Sequence, residues 1–342
     1  LWRSSSQWLG GLCFLFSLII LIDIFDKNLK DSFTDFSSFN NSETIIQSFK
    51  VLILYTLLTI TIFVILKLIN LRNLDAFNLS LTLISSGGFL SFNNLDSIFN
   101  NDIKKIVLSF TMLFSFFSIF LFYNLIINRG KKPSVFYEDF YLLIYFIFLV
   151  IVFFIFFNDQ NNFPSLLLSI TSSISNIGFY LENSNQNLFF VYLLLVIIGG
   201  SFYSTSSGIR FIKLFALVKF SINELLSHSK PNHVLLSKSV LFFKTVEKND
   251  VDKYFLSVII FIISLFALTL LLTVSNINYS DAFKLSILTI MNTVNSSLYG
   301  IPSYDFQNIN FFSKSIMIFF MIIGRVELLS LLILLKKFLF KS

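Results

Sequence analysis

Apolar residues run in long blocks along this chain, and polar residues fall between the blocks. Seven blocks are long enough for a helix to cross a hydrocarbon core of about 30 Å. They are residues 8–25, 47–70, 103–128, 139–157, 187–222 (with an internal break), 254–275 and 308–340. Three shorter apolar blocks, 75–84, 164–174 and 281–291, sit between them. At about 1.5 Å per residue the first of these makes a helix of roughly 15 Å, half a crossing. It then runs into Ser85, Ser86, Gly87, Gly88 and Phe89, where a spanning helix would continue. A helix that ends at membrane depth in small residues is tolerated where the turn is buried in protein or lines a water-filled path. The order span, half-length helix, span occurs three times.

The short blocks are related to one another. DAFNLSLTLISSGGF (75–89) matches DAFKLSILTIMNTVN (281–295) at Asp, Ala, Phe, Ser, Thr and several apolar positions. The third copy, SLLLSITSSISNIGF (165–179), shares the closing Gly-Phe. Asp75 and Asp281 each open a short helix, where a carboxylate is expected as an N-cap at the positive dipole end.

Composition agrees with a polytopic membrane protein. The 342 residues are 55% hydrophobic and 13% charged, with a mean hydropathy of +0.81. Soluble domains carry about 25% charged residues. The abundance of Phe is expected to fill lipid-facing positions. A single cysteine, Cys13, excludes a disulfide framework and a Cys-based metal site. His228 and His233 lie in a polar stretch, so no span offers a histidine ligand. A membrane-embedded enzyme would need a nucleophile with its base, or metal ligands, at membrane depth, and the spans hold almost no Asp or Glu. The chain is therefore read as not an enzyme. The opening LWRSSSQWLGG is neither a signal peptide nor a cleavage site, and the chain is expected to begin part-way through a longer protein.

Lys and Arg set the topology. With 8–25 running inward, the segments 26–46, 129–138, 210–253 and 341–342 face the cytoplasm and carry most of the basic residues, among them Lys27, Arg129, Arg210, Lys213 and Lys253. All three short loops then lie on the outer side. The net charge of +6 reflects this bias and attraction to anionic lipid. No aromatic–basic interleaving of a nucleic-acid reader is present, so no nucleic-acid partner is expected.

In this order and spacing, several stretches resemble the membrane subunit of the Trk/Ktr/HKT superfamily of potassium uptake proteins, closest to the bacterial Trk type. WRSSSQWLGGL is similar to the stretch after the family's first filter loop, ISSGGFLS to the second filter and SNIGF to the third. IIGGSFYSTSSGIRFIKL is similar to the broken second helix of the third repeat, KPNHVLLSK to a cytoplasmic hairpin, and GRVELLSLLILL to the closing helix. The resemblance implies an all-α polytopic fold of M1–pore helix–M2 repeats around a central, potassium-channel-like pore, with about seven spans and three re-entrant half-helices. Residues 1–46 would be the last helix of repeat one and a linker, 47–138 repeat two, 139–248 repeat three with its hairpin, and 249–342 repeat four. The first filter loop would lie outside this sequence. The resemblance also implies a homodimer in the bacterial inner membrane and a cytosolic nucleotide-binding regulatory subunit of the Trk type. The basic loop 210–253 is either its docking surface or simply solvated charge. No cofactor is implied, and potassium is the substrate.

Rings of backbone carbonyls replace the water shell of an ion without binding it too tightly to leave. Glycine reaches the backbone conformations this requires. The expected filter residues are Ser85, Ser86, Gly87, Gly88 and Phe89, then Ser175, Asn176, Ile177, Gly178 and Phe179. Gly-Gly-Phe would alternatively pack two helices together. The half-helices point their negative ends at the loops, which suits a cation. The fourth loop departs from the family, which has a Gly followed by a Pro-Gly pair. Here Asn292, Thr293, Val294 and Asn295 stand in its place. Counting from Asp281 puts Val294 at the glycine position, and counting from the Val that commonly precedes that glycine puts Asn295 there. Asn295 is preferred because Asn tolerates a left-handed backbone. One quarter of the ring is non-standard either way, which bears on potassium over sodium.

The break in 187–222 is expected at Gly199, Gly200, Ser201, Ser204, Thr205 and Gly208, with bulky Phe202 and Tyr203 between them. The resemblance makes it a gating loop under the filter; a Ser/Thr-supported kink is the alternative. Arg325 lies near the middle of 308–340. It is either a fixed positive charge facing the pore, as the resemblance implies, or an arginine tied to a carbonyl or to a carboxylate such as Glu327.

Overall fold

The computed structural model describes residues 1–25, 44–91, 95–96, 98–121, 137–157, 163–181, 188–228, 240–241, 244–245, 248–294, 296–301 and 309–326. Asn295, Glu327 and most of the hairpin around KPNHVLLSK lie outside the described residues. The helices are α1 (Trp2–Phe25), α2 (Thr44–Leu68), α3 (Asn73–Ile84), α4 (Asp102–Phe116), α5 (Tyr137–Phe157) and α6 (Phe163–Ile174). They continue with α7 (Phe189–Ile197), α8 (Phe211–His228), α9 (Lys248–Val274), α10 (Tyr279–Ile290) and α11 (Phe311–Val326). One short hairpin, Val240–Leu241 against Lys244–Thr245, is the strand structure among the described residues. The expected all-helical architecture stands, with three units of long helix, half-helix and helix.

Helices α2, α5 and α9 contain stretches long and apolar enough to cross a membrane. Their sequences are apolar on every side, yet burial follows helical periodicity. On α2, Val51, Tyr55, Leu58, Ile62 and Leu66 are buried, whereas Ile53, Leu57, Ile60 and Val64 are exposed. The exposed stripe is the lipid face. The half-helix α6 has no such face: every residue from Ser165 to Ile174 is buried. It stands between two apolar clusters, giving Leu168 to one with Tyr55, Leu79 and Met112, and Ile170 to the other with Tyr192, Leu268 and Leu288.

The half-helices end in one way. Ser86 N–H donates to Leu83 O and Gly87 N–H to Thr82 O; Asn176 to Ser173 and Ile177 to Ser172; Asn292 to Thr289 and Thr293 to Leu288. Ser86, Asn176 and Asn292 take φ of 48°, 59° and 51°. This is the Schellman termination, with one left-handed residue and a crossed pair of hydrogen bonds satisfying the last carbonyls. The long helices α2 and α9 stop identically at Asn70 and Asn276, φ 60° and 65°. The interval from Asn70 to Ser86 equals that from Asn276 to Asn292, so two units share one backbone register.

Two expectations are corrected. Asp75 and Asp281 are not N-caps: the helices begin at Asn73 and Tyr279 after Arg72 and Asn278, which places both aspartates in the first turn. They still face the positive dipole end, and Asp75 accepts a 2.7 Å bond from Ser91 Oγ beyond the loop. The block 103–128 is not one uninterrupted helix. It breaks after Phe116, where Phe117 is extended. The backbone N–H of Ser118 is taken by Asp139 at 3.0 Å, and that of Ile119 by Tyr203 O at 3.2 Å. An outside acceptor for each N–H removes the need to continue the helical ladder.

Replacing Asn276 by Ala puts a β-carbon in a left-handed turn without the local hydrogen bonding of Asn, at a cost of about 1 kcal/mol. Thermal unfolding of the purified protein in detergent should show a lower midpoint for Asn276→Ala, and no such loss for Asn276→Gly.

Candidate functional site

Three loops meet where the half-helices end. A β-carbon on Gly88 would run into the carbonyl oxygen of Ile177 and the side chain of Val294, and one on Gly178 into the carbonyl oxygen of Val294. Both glycines take positive φ, 72° and 81°. They are thus required twice, for conformation and for close approach. The structure therefore brings Gly88, Ile177, Gly178, Thr293 and Val294 to one point from three separate parts of the chain.

The left-handed residues anchor the loops. Asn176 Nδ2 donates to Val196 O of α7 at 3.0 Å and to Thr293 Oγ1 at 3.2 Å. Asn292 Nδ2 donates to Met321 O of α11 at 3.0 Å. Ser86 Oγ donates to Thr205 O in the 198–210 loop at 2.8 Å. Other predicted polar atoms are spoken for: Ser85 Oγ bonds Leu81 O, Ser175 Oγ bonds Thr171 O, and Phe179 O accepts from Ser172 Oγ. Gly87 O accepts from Gln7 Nε2 at 2.9 Å, and Phe89 lies beneath the Arg3 guanidinium.

The fourth loop is the exception. Val294 lies at the same step from Asn292 as Gly88 from Ser86 and Gly178 from Asn176. It is not among the residues with positive φ. An L-residue branched at Cβ is excluded from that region by its own β-carbon, so this wall has a different backbone. Its isopropyl group fills the space a Gly88 β-carbon would take. Asn295, the preferred glycine equivalent, lies outside the described residues.

Below α3 lies the broken segment between α7 and α8. Ile198 and Ile209 form a parallel bridge at its neck, and residues 199–207 are buried. Ser201 N–H donates to Phe116 O and Ser206 N–H to Ser115 O, so the loop satisfies carbonyls left open by the break in α4. Thr205 Oγ1 bonds Ile84 O at the end of α3. Ser204 Oγ donates to Ser201 O at 2.7 Å, and Gly200 N–H to Ser206 Oγ at 3.0 Å. Gly199 and Gly208 close the neck, with Gly199 N–H on Ile209 O. Arg325 Nη1 donates to Ser207 Oγ at 2.8 Å, and Nη2 reaches Ser85 O at 3.4 Å, so Arg325 joins the loop to the end of α3.

Sequence reasoning missed several participants. Arg210, expected among cytoplasmic charges, is 2% exposed; Nη1 reaches Ser201 O, Ser204 O and Ser206 O at 3.0 to 3.3 Å. It caps the loop from inside. Glu138 accepts from Phe202 N–H at 2.8 Å, and Asp139 is the acceptor for Ser118. The signal available in sequence was an acid pair opening the apolar block of α5, and an Arg directly after Ser-Ser-Gly-Ile. Neither shows which backbone it serves.

This arrangement is that of a multi-pass membrane protein built from pore-helix repeats. The chain belongs to the TrkH family of cation transport proteins, matched over residues 166–341. Its bacterial members sit in the inner membrane, and they are transporters rather than enzymes. The chain is 24% identical over 260 residues to the uncharacterized cation transporter MJ1485 of Methanocaldococcus jannaschii, covering 73% of this chain and 52% of that protein. It is 26% identical over 307 residues to the Trk system potassium uptake protein TrkG of Escherichia coli K12, covering 85% of this chain and 61% of that protein. The chain thus spans between half and two thirds of the length of these relatives. The crystal structure of the potassium transporter TrkH from Vibrio parahaemolyticus superposes with a TM-score of 0.81 over 96% of this chain and 70% of that one, at 19% identity. The shared fold extends through all three units.

Gly178→Ala adds a β-carbon at positive φ against the Val294 carbonyl. Strain of about 1–3 kcal/mol should reshape the loops without altering membrane insertion. Rubidium uptake by Gly88→Ala and Gly178→Ala should fall well below wild type at equal membrane abundance; wild-type uptake in both would exclude these glycines from an ion path.

Proposed function

We propose that the protein containing this chain carries potassium across the membrane through a ring of backbone carbonyls, with the 198–210 segment as an intramembrane gate. The observation that carries this reading is the convergence of three half-helix ends on Gly88, Gly178 and Val294. Each half-helix aims its negative end at that point, which favours a cation. Carbonyl oxygens supply uncharged ligands, so an ion binds and also leaves. The segment under the ring is buried, bonded to the end of α3 through Thr205 and Ser86, and flanked by two guanidinium groups. Movement of this segment would open the path. The potassium relative in Escherichia coli supports the choice of ion. Filter residues are Ser85, Ser86, Gly87, Gly88, Phe89, Ser175, Asn176, Ile177, Gly178, Phe179 and the 292–295 loop, with Gly199, Gly200, Ser201, Ser204, Thr205, Gly208 and Arg325 in the gate. A homodimer and a cytosolic nucleotide-binding subunit complete the assembly.

A second reading rests on Val294. With one wall out of the positive-φ conformation, the ring loses fourfold equivalence and with it the fixed set of ligand distances. Such a protein would pass sodium as well, or serve as a non-conducting assembly subunit.

Expression of the protein as its gene encodes it should restore growth at low potassium to uptake-deficient cells; failure at every potassium level, with correct insertion, favours the non-conducting subunit. Val294→Gly should raise the preference for potassium over sodium by roughly tenfold, equivalent to about 1.4 kcal/mol. Equal ion preference in Val294→Gly and wild type, measured by isotope uptake, would remove Val294 from selectivity.

A further inference from the structure

Phe14 is 5% exposed, yet it belongs to neither of the two large apolar clusters, although its neighbours Leu12 and Leu15 both lie in one of them. Its ring faces charge instead. The Arg325 guanidinium carbon stands 4.7 Å from the ring centroid and that of Arg210 5.3 Å from the same centroid. Two cations on one aromatic ring, Arg210 buried and Arg325 half-buried, are a costly arrangement unless each is tied elsewhere, because like charges repel more strongly away from water. Both are tied, and to the same loop: Arg210 to the carbonyls of Ser201, Ser204 and Ser206, Arg325 to Ser207 Oγ.

The position of the ring follows from α1. Gln7 bonds Gly87 O, and a β-carbon on Gly11 would meet Ser85. One turn further on, Phe14 lies beyond the filter ends, at the level of the 198–210 loop. A ring there offers its negative face to both guanidinium groups, so three separate elements, α1, α11 and the 198–210 loop, meet at one side chain.

We propose that Phe14 is the latch of the closed path: its aromatic face holds Arg210 and Arg325 together beneath the filter, and release of either charge from the ring is part of opening. This rests on the conduction reading above. The role is one of positioning; Phe14 acts through the two arginines. Aliphatic bulk of similar size would fill the space but offer no quadrupole, whereas Tyr keeps the face.

The test is unstimulated rubidium uptake in potassium-uptake-deficient cells at matched membrane abundance. Phe14→Leu should raise it by about tenfold, one decade of rate, and Phe14→Tyr should restore closure. In an Arg325→Gln background, Phe14→Leu should add less than it does in wild type, since one of the two contacts it removes is already gone. The latch is overturned if Phe14→Leu matches wild type while other variants conduct, if Phe14→Tyr leaks as Phe14→Leu does, or if the full Phe14→Leu effect persists with Arg325→Gln. Silence of wild type and every variant, with uptake by a control transporter intact, instead overturns the conduction reading and the latch with it.

Discussion

Backbone polar groups at membrane depth have no water to bond, and everything near the site follows from that constraint. Each chain break must place its N–H and C=O groups on protein partners. The half-helices do so with Schellman ends, which satisfy the last carbonyls inside the turn. The break in α4 and the break between α7 and α8 do so jointly: Ser115 and Phe116 offer carbonyls, and Ser206 and Ser201 supply the N–H groups. Two interrupted helices complete one another.

Charge enters the interior on the same terms. Arg210 and Arg325 are expensive at this depth, about 2.5–3.5 kcal/mol each on insertion scales. Hydrogen bonds to a charged group return about 1.5–3 kcal/mol apiece, and each arginine has oxygen partners in or beside the 198–210 loop. Glu138 and Asp139 serve the opposite polarity, accepting from Phe202 and Ser118 where no backbone acceptor is in place. The loop is therefore held at its carbonyls by Arg210, at the Phe202 N–H by Glu138 and at the Ser207 hydroxyl by Arg325, while Asp139 serves the adjoining break in α4.

Equivalence between the units extends as far as the Schellman turn and fails two residues later. Ser86, Asn176 and Asn292 share one conformation, since Ser and Asn both tolerate it with local hydrogen bonding. Gly88 and Gly178 then continue with positive φ, and Val294 does not. A branched β-carbon decides this locally, whatever the surrounding symmetry asks. The contact between Val294 and Gly88 puts the odd residue against the opposing glycine, so the asymmetry is felt where the three loops meet.

The sequence by itself determined the membrane setting, the three half-length helices and the loops that follow them. Block length, Gly-Phe endings and the repeated Asp-Ala-Phe are local features, and local chemistry makes half a helix stop where it does. It also singled out the 198–210 break and Arg325, because Gly and Ser runs and a charge within an apolar block stand out in one dimension. Only the tertiary structure decided the break after Phe116, the register that sets Val294 against Gly88, the burial of Arg210 and Asp139, and the partner of Glu138. Those depend on hydrogen-bond partners far away in the chain: Asp139 for Ser118, Phe202 for Glu138, Ser201 for Phe116. A charge next to an apolar block reads the same whether it faces the cytoplasm or caps a buried carbonyl, and only the fold supplies the carbonyl.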